Sequence, residues 1–144
     1  MFMISVLYID DNLTLLRITS KILINTGEFL VDTSYTLWDA RTKLSDGTYD
    51  AMVTDYGMNG TDNFDILRHL RLNDCRIPMI YFVASRNFQF ESEAQKFGSV
   101  DFVPKISGID ANFSGLGEAI RNQVQQKRTA MHISSHSDCV IPDS

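Results

Sequence analysis

Two rhythms of apolar residues alternate along this chain. Short, nearly unbroken apolar runs are separated by longer stretches in which apolar residues recur every three or four positions. Residues 4–10 form the first run, and its lack of a polar face indicates a strand covered on both sides. Asn12 is placed to cap a helix reaching about Gly27, with Leu15, Ile18, Ile22 and Leu16, Thr19, Leu23 as overlapping inward stripes. Gly27 is its stop signal. Phe29–Thr33 reads as a second strand, followed by a helix with Leu37, Ala40 and Leu44 on one face that ends near Asp46-Gly47.

The third strand is expected from Asp50 to Asp55, and Tyr56–Thr61, with Gly57 and Gly60, as loop. A helix from about Asp62 places Phe64, Leu67 and Leu70 on its inner arc. Pro78 opens a fourth strand, Met79–Ala84; Phe90, Ala94 and Phe97 then fall at helical spacing, and Gly98 ends that helix. Val100–Val103 is the fifth strand, and a last helix carries Phe113, Leu116, Ile120 and Val124. Five β-α units in succession predict a parallel α/β sheet with helices on both faces and right-handed crossovers. After about Arg128 the pattern fails, so residues 1–128 are read as one domain and 129–144 as a flexible tail or linker.

At 144 residues the chain fits one domain with a full-sized core. Its net charge of -5 argues against a nucleic-acid surface, which needs concentrated Lys and Arg. Cys75 and Cys139 are far apart and in no paired motif, which reads as a reducing compartment with no disulfide framework. No apolar stretch approaches the ~20 residues of a membrane span. The N-terminal Met-Phe-Met-Ile lacks the basic region of a secretory signal, so a cytoplasmic location is expected.

Charged side chains sit where the apolar runs stop: Asp10 and Asp11, Asp55, and Lys105. If the runs are parallel strands, all four gather at one rim, the carboxyl-end crevice in which open α/β sheets bind ligands. Crowded carboxylates repel one another unless a cation compensates, and magnesium suits an oxygen-rich site that also handles phosphate. Each feature also has a bland reading. An Asp-Asp pair alone is a solvated turn or cap, and His69 is a satisfied surface histidine. His132, His136 and Cys139 lack a fourth ligand or a rigid element, and Phe88 and Phe90 serve core and loop packing. No dinucleotide-binding glycine motif, Walker loop or Ser-His-Asp arrangement occurs.

The segments Val6-Leu-Tyr-Ile-Asp-Asp-Asn12, Asp50-Ala-Met-Val-Thr-Asp55 and Phe102-Val-Pro-Lys105 resemble the CheY-like receiver domain of two-component response regulators over roughly residues 3–128. Thr26-Gly-Glu-Phe and Phe113–Arg128 look closest to archaeal receivers that precede sensory or kinase domains. The resemblance implies a flavodoxin-like (βα)5 doubly wound parallel sheet with strand order 2-1-3-4-5. Its implied role is phosphorelay signalling, as a phosphoacceptor that assists its own phosphotransfer rather than an enzyme. It makes Asp55 the phosphoacceptor and gives Mg2+ three carboxylate ligands: Asp11 directly, Asp10 mostly through water, and Asp55. The Gly57 carbonyl is a further ligand. Lys105 would pair with the phosphoryl group, and Phe102 matches the aromatic whose rotamer reports phosphorylation. The implied partners are a sensor histidine kinase or phosphotransfer protein, and a downstream protein on the face of helix four, strand five and helix five. No nucleic-acid or membrane partner is implied within this chain.

Three departures qualify that expectation. Val83 stands where the family has Thr or Ser, and one missing hydrogen bond to a charged acceptor costs about 1.5–3 kcal/mol, ten- to hundredfold if fully expressed. Ser85, two residues on, is a conceivable displaced substitute. Pro104 precedes Lys105 instead of following it, so the Lys105–Ile106 bond is expected trans, and Pro104 suits an edge strand. Asn59 and Asn63 replace the usual Pro and Gly. The rival reading is a pseudo-receiver that signals by binding alone. A phosphatase with an Asp nucleophile would need a second acid where Gly57 stands.

Overall fold

The structure, a computed structural model, describes residues 3–55, 57–58, 61–62, 64–98, 100–105 and 109–131. Its elements are β1 (Ile4–Ile9), α1 (Leu13–Asn25), β2 (Phe29–Ser34), α2 (Leu37–Asp46), β3 (Ala51–Thr54), β4 (Gly57–Met58), β5 (Thr61–Asp62), α3 (Phe64–Leu72), β6 (Met79–Val83), α4 (Phe88–Gln95), β7 (Val100–Pro104) and α5 (Ile109–Met131). One five-stranded sheet has the order β2-β1-β3-β6-β7, and every adjacent pair is parallel. Counting only that sheet's strands, this is the expected 2-1-3-4-5 order.

Alternation along each buried strand sends side chains to opposite faces. On one face Leu7, Ile9, Met52 and Tyr81 pack with Ala40 and Leu44 of α2, Leu67 and Leu70 of α3, and Ala94 of α4. On the other, Val6, Tyr8, Val53, Ile80 and Phe82 pack with Leu16 and Leu23 of α1 and with Leu116, Ile120 and Val124 of α5. Both faces of the sheet are covered by buried apolar side chains, which is why the strands read as unbroken apolar runs.

Side-chain caps set the helix starts. The Asn12 carboxamide accepts the Leu15 N–H at 3.1 Å, the Thr36 hydroxyl accepts the Asp39 N–H at 3.1 Å, and Asn87 accepts the Phe90 N–H at 3.1 Å. After α1, Gly27 adopts φ +79°, a left-handed conformation that releases the chain into β2. Edge strand β7 carries Pro104 at its end, where no further strand needs the missing N–H.

Several expectations change. Ile18, assigned to an inward stripe of α1, is 44% exposed, because Thr19 and Ser20 take the buried positions beside Leu16 and Leu23. Small hydroxyl side chains let α1 sit close to the sheet, and the Ser20 hydroxyl donates back to the Leu16 carbonyl at 2.6 Å. The stretch after Asp55, expected as loop, contains the antiparallel pair β4 and β5, and the following helix starts at Phe64 instead of Asp62. An Asn-Gly dipeptide between these two strands is the sequence signal for such a hairpin. Helix α5 continues to Met131, past Arg128. Cys75, 1% exposed, is disulfide-bonded, against the expectation of unpaired thiols; widely separated cysteines carry no pairing signal. The expectations for Asn59, Asn63, Ile106, His132, His136 and Cys139 fall outside the described residues.

Candidate functional site at the switch point of the sheet

The chain reverses its direction of sheet growth between β1 and β3, and their carboxyl ends adjoin, with Ile9 opposite Thr54. Asp10 and Asp55 are the next residues on each strand. Two strands further on, Val83 pairs with Pro104, and the Lys105 N–H donates to the Val83 carbonyl at 2.6 Å. That hydrogen bond fixes the base of the lysine. Its ammonium reaches back over the sheet, donating to Asp10 Oδ2 at 2.9 Å and to Asp55 Oδ2 at 2.8 Å. Lys105 Nζ also lies 5.7 Å from the Phe82 ring centroid, within reach of a cation–π attraction.

Burial makes these contacts electrostatically strong. The side chains of Asp10, Lys105 and Asp55 are 1%, 12% and 22% exposed. Asp10 is further held by its own N–H, which donates to the Ser34 carbonyl at 3.1 Å, and by its Oδ1, which accepts the Asn12 N–H at 3.0 Å. For Lys105, burial alone would pull the ammonium down. Hydrogen bonds to Asp10 and Asp55, and then their negative charge, outweigh it and leave the group above the ordinary lysine value.

The other expected residues are placed as follows. Asp11 is exposed at the same rim, and Gly57 lies in β4, two residues after Asp55. Among the described residues no group of three or more His, Cys, Asp or Glu side chains is arranged to hold a metal ion. The donor chemistry nevertheless suits a hard cation: two carboxylates already share one positive charge, and further oxygens (Asp11 and the Gly57 carbonyl) follow directly in the chain. Val83 is 1% exposed and belongs to the core layer on the α3–α4 side, while Ser85 is exposed. Phe102 is half-buried, stacked on Tyr81 with ring centroids 5.4 Å apart, and edge-on to Phe90 at 6.5 Å. Phe88 is exposed, with the Arg86 guanidinium 4.8 Å from its ring centroid. His69 is half-buried, and its Nε2 closes no hydrogen bond, so it is not the satisfied surface histidine expected.

Sequence reasoning missed Tyr8. Two residues before Asp10 on β1, it points to the α1–α5 side with a fully buried hydroxyl that faces the Thr19 hydroxyl and Asp10 without reaching normal hydrogen-bond geometry to either. Burial, and then the negative charge of Asp10, push the Tyr8 phenol above its ordinary value. The signal was an aromatic with a polar tip inside an otherwise aliphatic run.

A parallel α/β sheet with two acids and a lysine joined at its switch point defines a flavodoxin-like protein with a charged crevice. The chain belongs to the response regulator receiver family: the model of the response regulator receiver domain matches residues 6–112. It is similar to the transcriptional regulatory protein PhoP of Escherichia coli, 29% identical over 105 residues that cover 73% of this chain and 47% of that protein. The chain thus spans about half the length of the curated relatives it matches. Among solved structures, the signal receiver domain of a putative Luxo repressor protein from Vibrio parahaemolyticus has a TM-score of 0.78 at 16% identity, covering 94% of this chain and all of that one. Response regulator TrrA from Thermotoga maritima, solved in complex with Mg2+-BeF, has a TM-score of 0.71 at 21% identity, covering 84% of this chain and 99% of that one. Among the described residues no helix is long and apolar enough to cross a membrane.

Proposed function

We propose that this receiver domain, taken as residues 1–128, accepts a phosphoryl group on Asp55 from the histidine of a partner kinase or phosphotransfer protein. The observation that carries the reading is the Lys105 ammonium held between Asp10 and Asp55. A carboxylate oxygen of Asp55 attacks phosphorus, the P–N bond to the donor imidazole breaks, and its electron pair returns to that ring nitrogen. Lys105, anchored through its backbone to Val83, stands where it can follow the incoming phosphoryl oxygens. Asp10, Asp11, Asp55 and the Gly57 carbonyl would hold Mg2+. When bound, that ion neutralises charge on the transferring group. The magnesium–fluoroberyllate complex of the Thermotoga relative supports the assignment by analogy. Phosphorylation changes the charge at the rim and biases the packing of Phe102 on Tyr81 and Phe90, which lies on the α4–β7–α5 side where a downstream protein would dock. Membership of the receiver family supports the cytoplasm as the site of action.

Incubation with acetyl phosphate and magnesium tests the reading. The wild type gains one phosphate in intact mass and Asp55→Asn gains none. No gain in either protein, or equal gain in both, overturns it. One observation favours the pseudo-receiver alternative: Val83, buried at the end of β6, offers no hydroxyl to a phosphoryl oxygen. That alternative predicts no labelling and unchanged partner affinity in Asp55→Asn.

A further inference from the structure

At the amino ends of β6 and β7, the opposite end of the sheet from Asp55, a cleft of about 320 Å³ is lined by Arg71, Arg76, Lys127, Gln123, Gln126, Pro78 and Gly98. Three cationic side chains therefore meet in one place, in a chain whose net charge is -5. Arg71 is only 7% exposed. Its Nε donates to the Phe97 carbonyl at 3.1 Å and one terminal nitrogen donates to the Cys75 carbonyl at 2.9 Å. Both acceptors are neutral, and its remaining N–H groups have no acceptor among the described residues. Arg76 donates to the Arg71 carbonyl at 3.1 Å, and its carboxylate contact, Asp74 at 3.9 Å, is open to solvent. Among the described residues neither Arg71 nor Lys127 has a carboxylate within salt-bridge distance. Asp50 attracts Lys127 from a distance, but one of its oxygens already accepts the Ser5 N–H at 2.8 Å.

Burying positive charge without a counter-ion is costly, and mutual repulsion adds to the cost. Both effects register here. Burial, then Arg76, bring Arg71 down to about 10, still protonated at neutral pH. Burial, then Arg71, hold Lys127 below the ordinary lysine value. Arg71 as a structural staple explains its two carbonyl contacts; it does not explain why Arg76 and Lys127 share the cleft. An anion would satisfy all three. The planar guanidinium with free N–H groups matches the geometry of phosphate oxygens, Lys127 supplies a point charge, and the Gln126 amide adds a neutral donor. The volume admits a phosphate with a small substituent, at the lower end of ligand pockets.

We propose that this basal cleft is an anion site that binds a phosphate-class oxyanion, free or carried on a small metabolite, independently of the Asp55 rim. The test is an NMR titration of the full chain, 15N-labelled, in EDTA at constant ionic strength, with inorganic phosphate and adenosine monophosphate as probes. Saturable shifts are expected at the amides of Gly98, Gln123 and Lys127, with Asp10, Asp55 and Lys105 unmoved. Equal response to both probes assigns the site to the free anion; a tighter response to the nucleotide assigns it to a metabolite-borne phosphate. Lys127→Gln, half-exposed and remote from the rim, should weaken binding about tenfold, the loss of one charge-assisted contact. Arg76→Gln with Lys127→Gln should abolish it, and both substitutions leave in place the side-chain hydrogen bonds of Arg71 to the Phe97 and Cys75 carbonyls. Shifts that stay linear with ligand, shifts confined to the rim, or wild-type affinity in the double variant overturn the proposal.

Discussion

Replacing Lys105 with Met removes the charge between Asp10 and Asp55 while keeping an unbranched side chain of similar length. The wild-type ammonium makes both hydrogen bonds in a largely buried setting, with Asp10 at 1% exposure and Lys105 at 12%. Stripping one partner from a buried ion pair costs about 3–5 kcal/mol. Asp55, at 22% exposure, keeps some hydration, so the low end, about 3 kcal/mol, is expected. Magnesium should reverse part of this loss, because the two carboxylates then face a cation with no competing ammonium. Urea unfolding of wild type and Lys105→Met, each in EDTA and at fixed magnesium, measures both effects. The expected result is a variant less stable in EDTA, with a gap that narrows as magnesium is added by binding to the folded state. An unchanged midpoint in EDTA, or a gap that magnesium leaves intact, would refute the electrostatic account of the rim.

Val83→Thr should move two quantities in opposite directions: stability falls by about 1 kcal/mol from burying a hydroxyl, and phosphorylation by acetyl phosphate rises about ten- to hundredfold. An unaltered labelling rate would show that the missing hydroxyl is not the limiting departure. Tyr8→Phe deletes a buried hydroxyl without a hydrogen bond and should raise unfolding stability by about 1 kcal/mol; a loss of stability would mean that the hydroxyl bonds Thr19 or Asp10. Because Lys105 binds its proton more tightly when folded, its contribution is complete below its unfolded value of 10.5 and is lost as pH climbs through the higher folded value. Thermal midpoints should therefore show an alkaline decline in wild type beginning above that value, and a shallower one in Lys105→Met; identical alkaline limbs would count against it.

Element order and type were legible because both faces of this sheet are covered by apolar side chains, so each strand reads as an apolar run and each helix as a stripe. The rim acids and Lys105 were legible as charges that end those runs. Local pattern failed where neighbours decided the outcome. Ile18 satisfies helical periodicity, yet packing against the sheet took the expected Leu16, Thr19 and Leu23 and preferred Ser20 to Ile18 beside them. The β4–β5 pair escapes notice because its Asn-Gly signal reads as part of a loop-rich composition.

The sequence by itself determined a five-unit α/β receiver with Asp10, Asp11, Asp55 and Lys105 at strand ends, since periodicity and residue type are one-dimensional properties. Only the tertiary structure decided that Lys105 joins Asp10 to Asp55 while Asp11 stays exposed, and that Arg71, Arg76 and Lys127 share a cleft at the opposite end. Those pairings join positions on different strands and helices, and a side chain's direction and burial are set by what packs around it, not by its place in the chain.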